Sequence, residues 1–232
     1  MMSPLGVGLA LFIALIGLAA AGPAQAAAIR GVATMTGPPP PAKKVPVTID
    51  QYVCGKEKVG EDLVVAPQGG VKNVVVWLGT PPPGAAWPST PVKVEMDQKA
   101  CTFVPRVVIV PAGGSVEFLN SDRLLHNLHS VSRDNPTFNR TQPRGRAIPL
   151  PFSKPEIVQV NCDLHSWMRA WVVVADHPFY VLSGDGGEFT LPNVPPGKYV
   201  LHTWHETLGT ATREVTVGSD DARVTIELKA PR

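Results

Sequence analysis

No run of lysine or arginine interrupts this 232-residue chain, and its 21 basic and 19 acidic side chains leave a formal charge of only +2. A surface without a basic stripe lacks the electrostatic footprint that nucleic acid requires, so nucleic acid is not an expected partner. Cysteine is scarce as well: Cys54, Cys101 and Cys162 are an odd set that cannot all pair within one molecule. There is no internal repeat and no coiled-coil pattern. The apolar run from Leu5 to Ala21 falls short of the ~20 residues of a membrane span and leads into a Gly22-Pro23 breaker and Ala24-Gln25-Ala26, a small-x-small cleavage pattern. Residues 1–26 therefore read as a secretory signal, with a retained anchor as the alternative because no Lys or Arg precedes the apolar run. The mature chain is expected to begin near Ala27, to be periplasmic or secreted, and to keep no stable membrane insertion after cleavage.

What the chain has in quantity is 25 prolines and 21 glycines, with short Val-rich runs between them. That is an all-β composition, and about 206 mature residues suffice for one large or two small β domains. Strands are expected at 29–36, 45–49 (an edge), 63–65, 71–78, 92–96, 107–110, 115–119, 157–160 and 170–175. The run Val71 to Leu78 holds an unbroken apolar stretch from Val74 to Leu78, as a strand buried on both faces would. The polyproline stretch at 37–41 cannot continue a ladder, and the proline-rich interval at 81–91 reads as a surface loop. The polar segment from Arg133 to Arg146 is too long for a hairpin turn and suits a short helix or an ordered flap.

The chemistry concentrates in Cys162-Asp163-Leu164-His165-Ser166-Trp167-Met168, which places a thiolate, an imidazole and a thioether within seven residues. This donor set is one that copper accepts in both oxidation states. A further ligand is offered by His126, which is followed by Asn127 and lies just after the strand-like run Ser115 to Leu119. His126, Cys162, His165 and Met168 together make the set of two His, one Cys and a weak axial Met that defines a blue copper electron-transfer site.

At this point the sequence resembles the cupredoxins, the plastocyanin- and amicyanin-like type 1 copper proteins. The C-x-x-H-x-x-M spacing resembles the short ligand loop of amicyanin, and Phe103-Val104-Pro105, Val110 to Gly114 and Val116-Glu117-Phe118 look like the strands leading to the first His ligand. The resemblance implies one copper ion, an enclosed His126, a surface-reaching His165 as electron port, a redox partner protein docking near His165 and Trp167, and Asn127 bracing the two ligand segments. A free Cys162 fits this reading, with Cys54 paired to Cys101 in an oxidising compartment. The alternative is that Cys162 joins a disulfide or is a buried inert thiol. Asn161 and Asp163, on either side of the Cys, depart from the family pattern. A binuclear purple centre would need a second Cys where Val158 stands.

Beyond His177 the rhythm changes to short strands and Gly- or Pro-rich turns, and residues 187–199 resemble carboxypeptidase-regulatory, prealbumin-like β modules. The expected organisation is a signal at 1–26, an N-terminal β extension at 27–69, a cupredoxin-like copper domain at 70–176 and the β module at 177–232. The expected fold is all-β, a cupredoxin-like Greek-key sandwich plus a smaller antiparallel sandwich.

His129, three residues after His126, points to the opposite face of a strand and reads as an exposed or hydrogen-bonded side chain. His202 and His205 also face opposite ways, which weakens them as a second metal site. Trp171 and Trp204 read as core or interdomain packing, and His177 as a domain junction. The leading function is an exported one-electron carrier and not an enzyme, since enzymatic copper chemistry would need a second, open site. The alternatives are a periplasmic copper-handling protein and a non-catalytic β-sandwich binding module with a structural metal.

Overall fold

The computed structural model describes residues 26–87 and 92–230, so all but the last residue of the expected signal segment lies outside the described residues. Over them the chain is all-β, and no helix is long and apolar enough to cross a membrane. In chain order the elements are β1 (Ala27–Thr36), β2 (Lys44–Pro46), the single-turn α1 (Gln51–Cys54), β3 (Glu57–Val59), β4 (Val75–Leu78), β5 (Lys93–Lys99) and β6 (Thr102–Val104). They continue with β7 (Val107–Pro111), β8 (Gly114–Asn120), β9 (His126–Val131), β10 (Asn139–Gln142), β11 (Ile148–Phe152), β12 (Glu156–Asn161) and β13 (Arg169–Ala175). The last five are β14 (Tyr180–Leu182), β15 (Glu188–Val194), β16 (Gly197–His205), β17 (Gly209–Val217) and β18 (Ala222–Lys229).

Strands β5 to β13 make one sandwich, with sheets ordered β10-β9-β12-β13-β7 and β11-β8-β5-β6. The period-2 alternation of each strand sends one set of side chains inward. Val116 and Phe118 of β8, Val158 and Val160 of β12, and Leu128 of β9 meet Met96 and Phe152 in the resulting core. Because β5 runs parallel to β8 and β7 parallel to β13, the chain must cross between sheets instead of running up and down.

The second sandwich pairs a β15-β1-β18 sheet with a β14-β4-β16-β17 sheet, and this corrects the expected domain limits at residues 70 and 177. β1 lies between β15 and β18, antiparallel to one and parallel to the other, so the module is not purely antiparallel. β4 lies between β14 and β16. The reason is in the Val74-Val75-Val76-Trp77-Leu78 run, apolar on both faces. Val74, Val76 and Leu78 enter the core of the second sandwich, while Val75 and Trp77 face a separate cluster. In that cluster Val75, Trp77, Tyr180, Leu182 and Trp204 meet Val107, Ile109, Ile157, Trp171 and Val173 of the first sandwich. The sheets therefore stack in layers with a third apolar seam between the sandwiches, and Trp171 and Trp204 cross it edge to face with centroids 4.9 Å apart. His177 closes the junction, its Nε2 3.0 Å from the Leu78 carbonyl.

Two smaller expectations are also corrected. Leu63 to Val65 makes only an isolated bridge from Val65 to Val71 instead of a strand. Residues 133–146 carry β10, an edge partner of β9, and no helix. Gly187, before β15, has φ 81°, and a Cβ there would lie 2.4 Å from the Ala33 carbonyl oxygen, so the passage of β1 past this turn requires glycine.

Candidate metal centre

His126 is the first residue of β9, and Cys162 to Met168 form the loop of the β12–β13 hairpin, closed by the Asn161–Arg169 pair. Inside the loop the Met168 N–H donates to the His165 carbonyl (2.8 Å) and the Cys162 N–H to the Met168 carbonyl (3.2 Å). These bonds curl the segment so that residues three and six places after Cys162 turn back toward it. The structure brings His126 Nδ1, His165 Nδ1 and Cys162 Sγ together at 3.0, 3.5 and 3.8 Å. Both histidines are 0% exposed, Cys162 2% and Met168 1%. Met168 is buried in the same core cluster as Cys162.

The far nitrogen of each ring meets a carboxylate. His126 Nε2 is 2.8 Å from Asp122 Oδ2, and His165 Nε2 is 3.0 Å from Asp50 Oδ2. An ionised carboxylate only accepts, so each Nε2 carries a proton toward its carboxylate and each ring turns its Nδ1 to the cluster. Burial, the largest influence on His126, lowers its pKa, which favours the uncharged ring that a metal requires. Burial also raises the Cys162 thiol, which leaves one S–H facing two imidazole nitrogens. A cation resolves that shortage. A point equidistant from the three donor atoms lies about 2.0 Å from each, close to the length of an imidazole–metal bond. The residues present thus fit a soft ion held by two imidazole nitrogens and one sulfur, with Cys162 ionised by the metal when bound.

Cys162 is a free cysteine and Cys54 is bonded to Cys101, as the copper reading requires. Asn127 braces the two ligand segments: its Oδ1 accepts the Asp163 N–H (2.5 Å), and its Nδ2 donates to Asp163 Oδ2 (3.1 Å). Asp163 is turned outward, toward His129 Nδ1 (2.9 Å) and Asn139 Nδ2 (2.9 Å). Its pKa is lowered, first by the His129 contact. Asn161 Oδ1 likewise accepts from Gln159 Nε2 (2.7 Å).

Two clusters of three metal-ligating donors occur among the described residues, His126–Cys162–His165 and Cys101–Asp122–His126. In the second, Cys101 is committed to its disulfide. Neither includes His129, His202 or His205, and buried His205 instead accepts the N–H groups of Thr207 and Leu208 at Nδ1.

One expectation is overturned. His165 does not reach the surface as an electron port, because α1 and the Asp50 carboxylate close over it. Asp50 and Asp122 carried no local signal of this role. Asp50 is 115 residues from His165 in sequence.

No protein-family model and no curated protein matches this sequence. Partial overlap is seen with solved copper proteins. A Cu-containing nitrite reductase from Thermus scotoductus is 23% identical over 43% of this chain with a TM-score of 0.35, and the chain spans only 26% of that protein. A purple cupredoxin from Nitrosopumilus maritimus is 20% identical over 36% of this chain and 100% of its own length, with a TM-score of 0.32. A variant of amicyanin in its reduced Cu(I) form is 21% identical over 43% of this chain and 98% of its own, with a TM-score of 0.34. These are likenesses over less than half of the chain.

Proposed function

We propose that this chain is an exported, cupredoxin-like mononuclear copper protein that carries single electrons, with His126, Cys162, His165 and Met168 as ligands. The observation that carries the reading is the cluster of two imidazole nitrogens and one thiol, 3.0 to 3.8 Å apart and sealed from water. Copper bound there would supply reversible one-electron chemistry, for which two imidazoles, a thiolate and a weak thioether are the suited donor set. The chain's own part is to hold the donors still. β9 and the β12–β13 hairpin fix them in a packed core, Asn127 ties the two segments together, and burial excludes competing water ligands. The disulfide supports an oxidising compartment, periplasmic or secreted.

The burial also favours electron transfer over ion delivery. A protein that hands copper on needs a ligand a partner can reach, whereas neither histidine is exposed here. A redox partner would dock on the exposed apolar residues Leu125 and Leu164, each adjacent to a ligand, and on Ile49 and Tyr52 beside Asp50. Titration of the full chain with copper(II), followed by visible absorption, is the test. An intense thiolate-to-copper band that bleaches reversibly on reduction and disappears in Cys162→Ala supports the proposal. A colourless copper(I)-only form points to ion handling, and no uptake leaves the sandwich with a non-copper role.

A further inference from the structure

We propose that Asp50 and Asp122 are positioning residues of this centre, one carboxylate for each histidine, and that the Cys54–Cys101 disulfide locks the two in place. This rests on the reading of His126, Cys162 and His165 as metal ligands.

Asp122 is 6% exposed and saturated with donors. Its Oδ1 accepts the Ala100 N–H (2.7 Å), and its Oδ2 accepts the Cys101 N–H (2.8 Å) and meets His126 Nε2 (2.8 Å). The two amides come from the β5–β6 turn, where Ala100 (φ 52°) and Cys101 (φ 53°) are both left-handed and aim successive N–H groups at one carboxylate. Asp50 stands at the N-cap of α1, where an Asp side chain ordinarily accepts an N–H of the first helical turn. It makes no such cap bond. Its backbone is left-handed (φ 54°, ψ 32°), and its carboxylate goes to His165. An acidic residue that forgoes capping and sits in a sparsely populated backbone region, with its carboxylate on a buried imidazole, is placed for that imidazole.

The disulfide joins the two arrangements. Cys54 ends α1 and donates its N–H to the Asp50 carbonyl (2.9 Å), while Cys101 belongs to the turn that holds Asp122. The same turn reaches the second histidine through Trp167. The indole Nε1–H donates to the Cys101 carbonyl (3.0 Å), and the indole packs on His165 with centroids 5.1 Å apart. The covalent bond thus adds to the packing of Val47 and Val53 on the core in holding α1, carried by the two-stranded β2–β3 ribbon, against the cluster.

A carboxylate that accepts the remote N–H of a metal-bound imidazole fixes its tautomer and rotation and makes it the more basic donor. The harder copper(II) benefits more than copper(I), so the carboxylates hold the reduction potential down. Loss of such an outer partner weakens metal affinity 10- to 100-fold. If that loss falls on copper(II) alone, it raises a one-electron potential by about 59 mV per tenfold, or roughly 60–120 mV.

The experiment compares full-length wild type with Asp50→Asn, Asp50→Glu and the double variant Cys54→Ser/Cys101→Ser, measuring copper(II) affinity by chelator competition and potential by voltammetry. Asp50→Asn is expected to keep the thiolate band while losing at least about tenfold in copper(II) affinity and gaining at least about 59 mV in potential. Asp50→Glu is expected to recover part of both, and the double Ser variant to shift both in the same direction as Asp50→Asn. Asp122→Asn should do likewise through His126, but its loss also frees the β5–β6 turn, so Asp50 carries the decision. A change below threefold in affinity with an unmoved potential in Asp50→Asn overturns the proposal while leaving the ligand assignment standing. A wild type without the thiolate band overturns the ligand assignment itself.

Discussion

Arg106 and Glu206 offer a quantitative test of how the two sandwiches are joined. Arg106 lies in the β6–β7 turn of the first sandwich, and its carbonyl accepts the Trp171 N–H (2.9 Å). Glu206 follows β16 of the other sandwich. The guanidinium grips the carboxylate with two parallel bonds, Nη2 to Oε2 at 2.8 Å and Nε to Oε1 at 2.5 Å, and the side chains are only 10% and 5% exposed. Glu206→Ala would leave a guanidinium buried without its counter-charge, a loss of about 3–5 kcal/mol. In a folded unit of this size each kcal/mol moves the melting temperature by about 2–4 °C, so a fall of roughly 6–20 °C is expected. The paired apolar replacement Arg106→Met/Glu206→Leu removes both charges and should recover most of it. Glu95→Ala serves as control, since the Lys93–Glu95 pair is 68% and 50% exposed and its loss should leave stability nearly unchanged. Urea unfolding of the metal-free protein is the assay. A loss below about 1 kcal/mol in Glu206→Ala, the level of an exposed pair, or a double variant no better than the single one, would refute the buried-pair reasoning.

Met168→Leu should leave copper bound but raise its potential, because removing a weak axial donor disfavours copper(II) more than copper(I); voltammetry showing a fall instead would exclude Met168 as a ligand. Truncation after Asp176 should give chains that self-associate, since it removes the partners of β1 and β4 and uncovers Trp171 and Val173; a monodisperse fragment by light scattering would contradict this. Burial opposes ionisation of Glu156, yet the Arg133 N–H, the Ser132 hydroxyl and Asn135 outweigh it and bring its pKa down to about 2. Its contribution to stability is therefore complete above the ordinary carboxylate pKa of about 4.3 and fades as pH falls toward 2. The stability gap between wild type and Glu156→Gln should be widest near pH 6 and close between about pH 4 and 2, and a gap independent of pH would sink the argument.

The meeting of Cys162 with His165 was legible because the two are local in sequence and share one hairpin loop. His126 was legible because a strand-like run leads up to it. What covers the site was not. Asp50 reaches His165 across 115 residues, and nothing within the segment around it distinguishes a capping Asp from one aimed at a distant imidazole. The expectation of an exposed His165 failed for that reason. Strand existence was read well from alternation and turn residues, but strand partnership was not, since β1 and β4 find their neighbours only after β14 to β18 exist. The domain limits failed with it. The apolar run at 74–78 did announce burial on both faces, although not against which cores.

The position of β4 has a consequence for how the protein is made. Its hydrogen-bonded neighbour β14 starts 102 residues after β4 ends, and the whole first sandwich, β5 to β13, is spelled out between them. At about 5–20 residues per second, the Val-Val-Val-Trp-Leu stretch waits roughly 5–20 s for its pairing strand to emerge from the ribosome. During that interval it is a short, uncharged, β-prone segment with open edges, the kind that associates with copies of itself. The intervening β5 to β13 can bury their own inner core before β14 arrives, so the order of synthesis favours an early-forming first sandwich on which β4 is later sheltered. Premature termination between residues 80 and 180 would therefore release chains whose most adhesive strand is permanently unpaired.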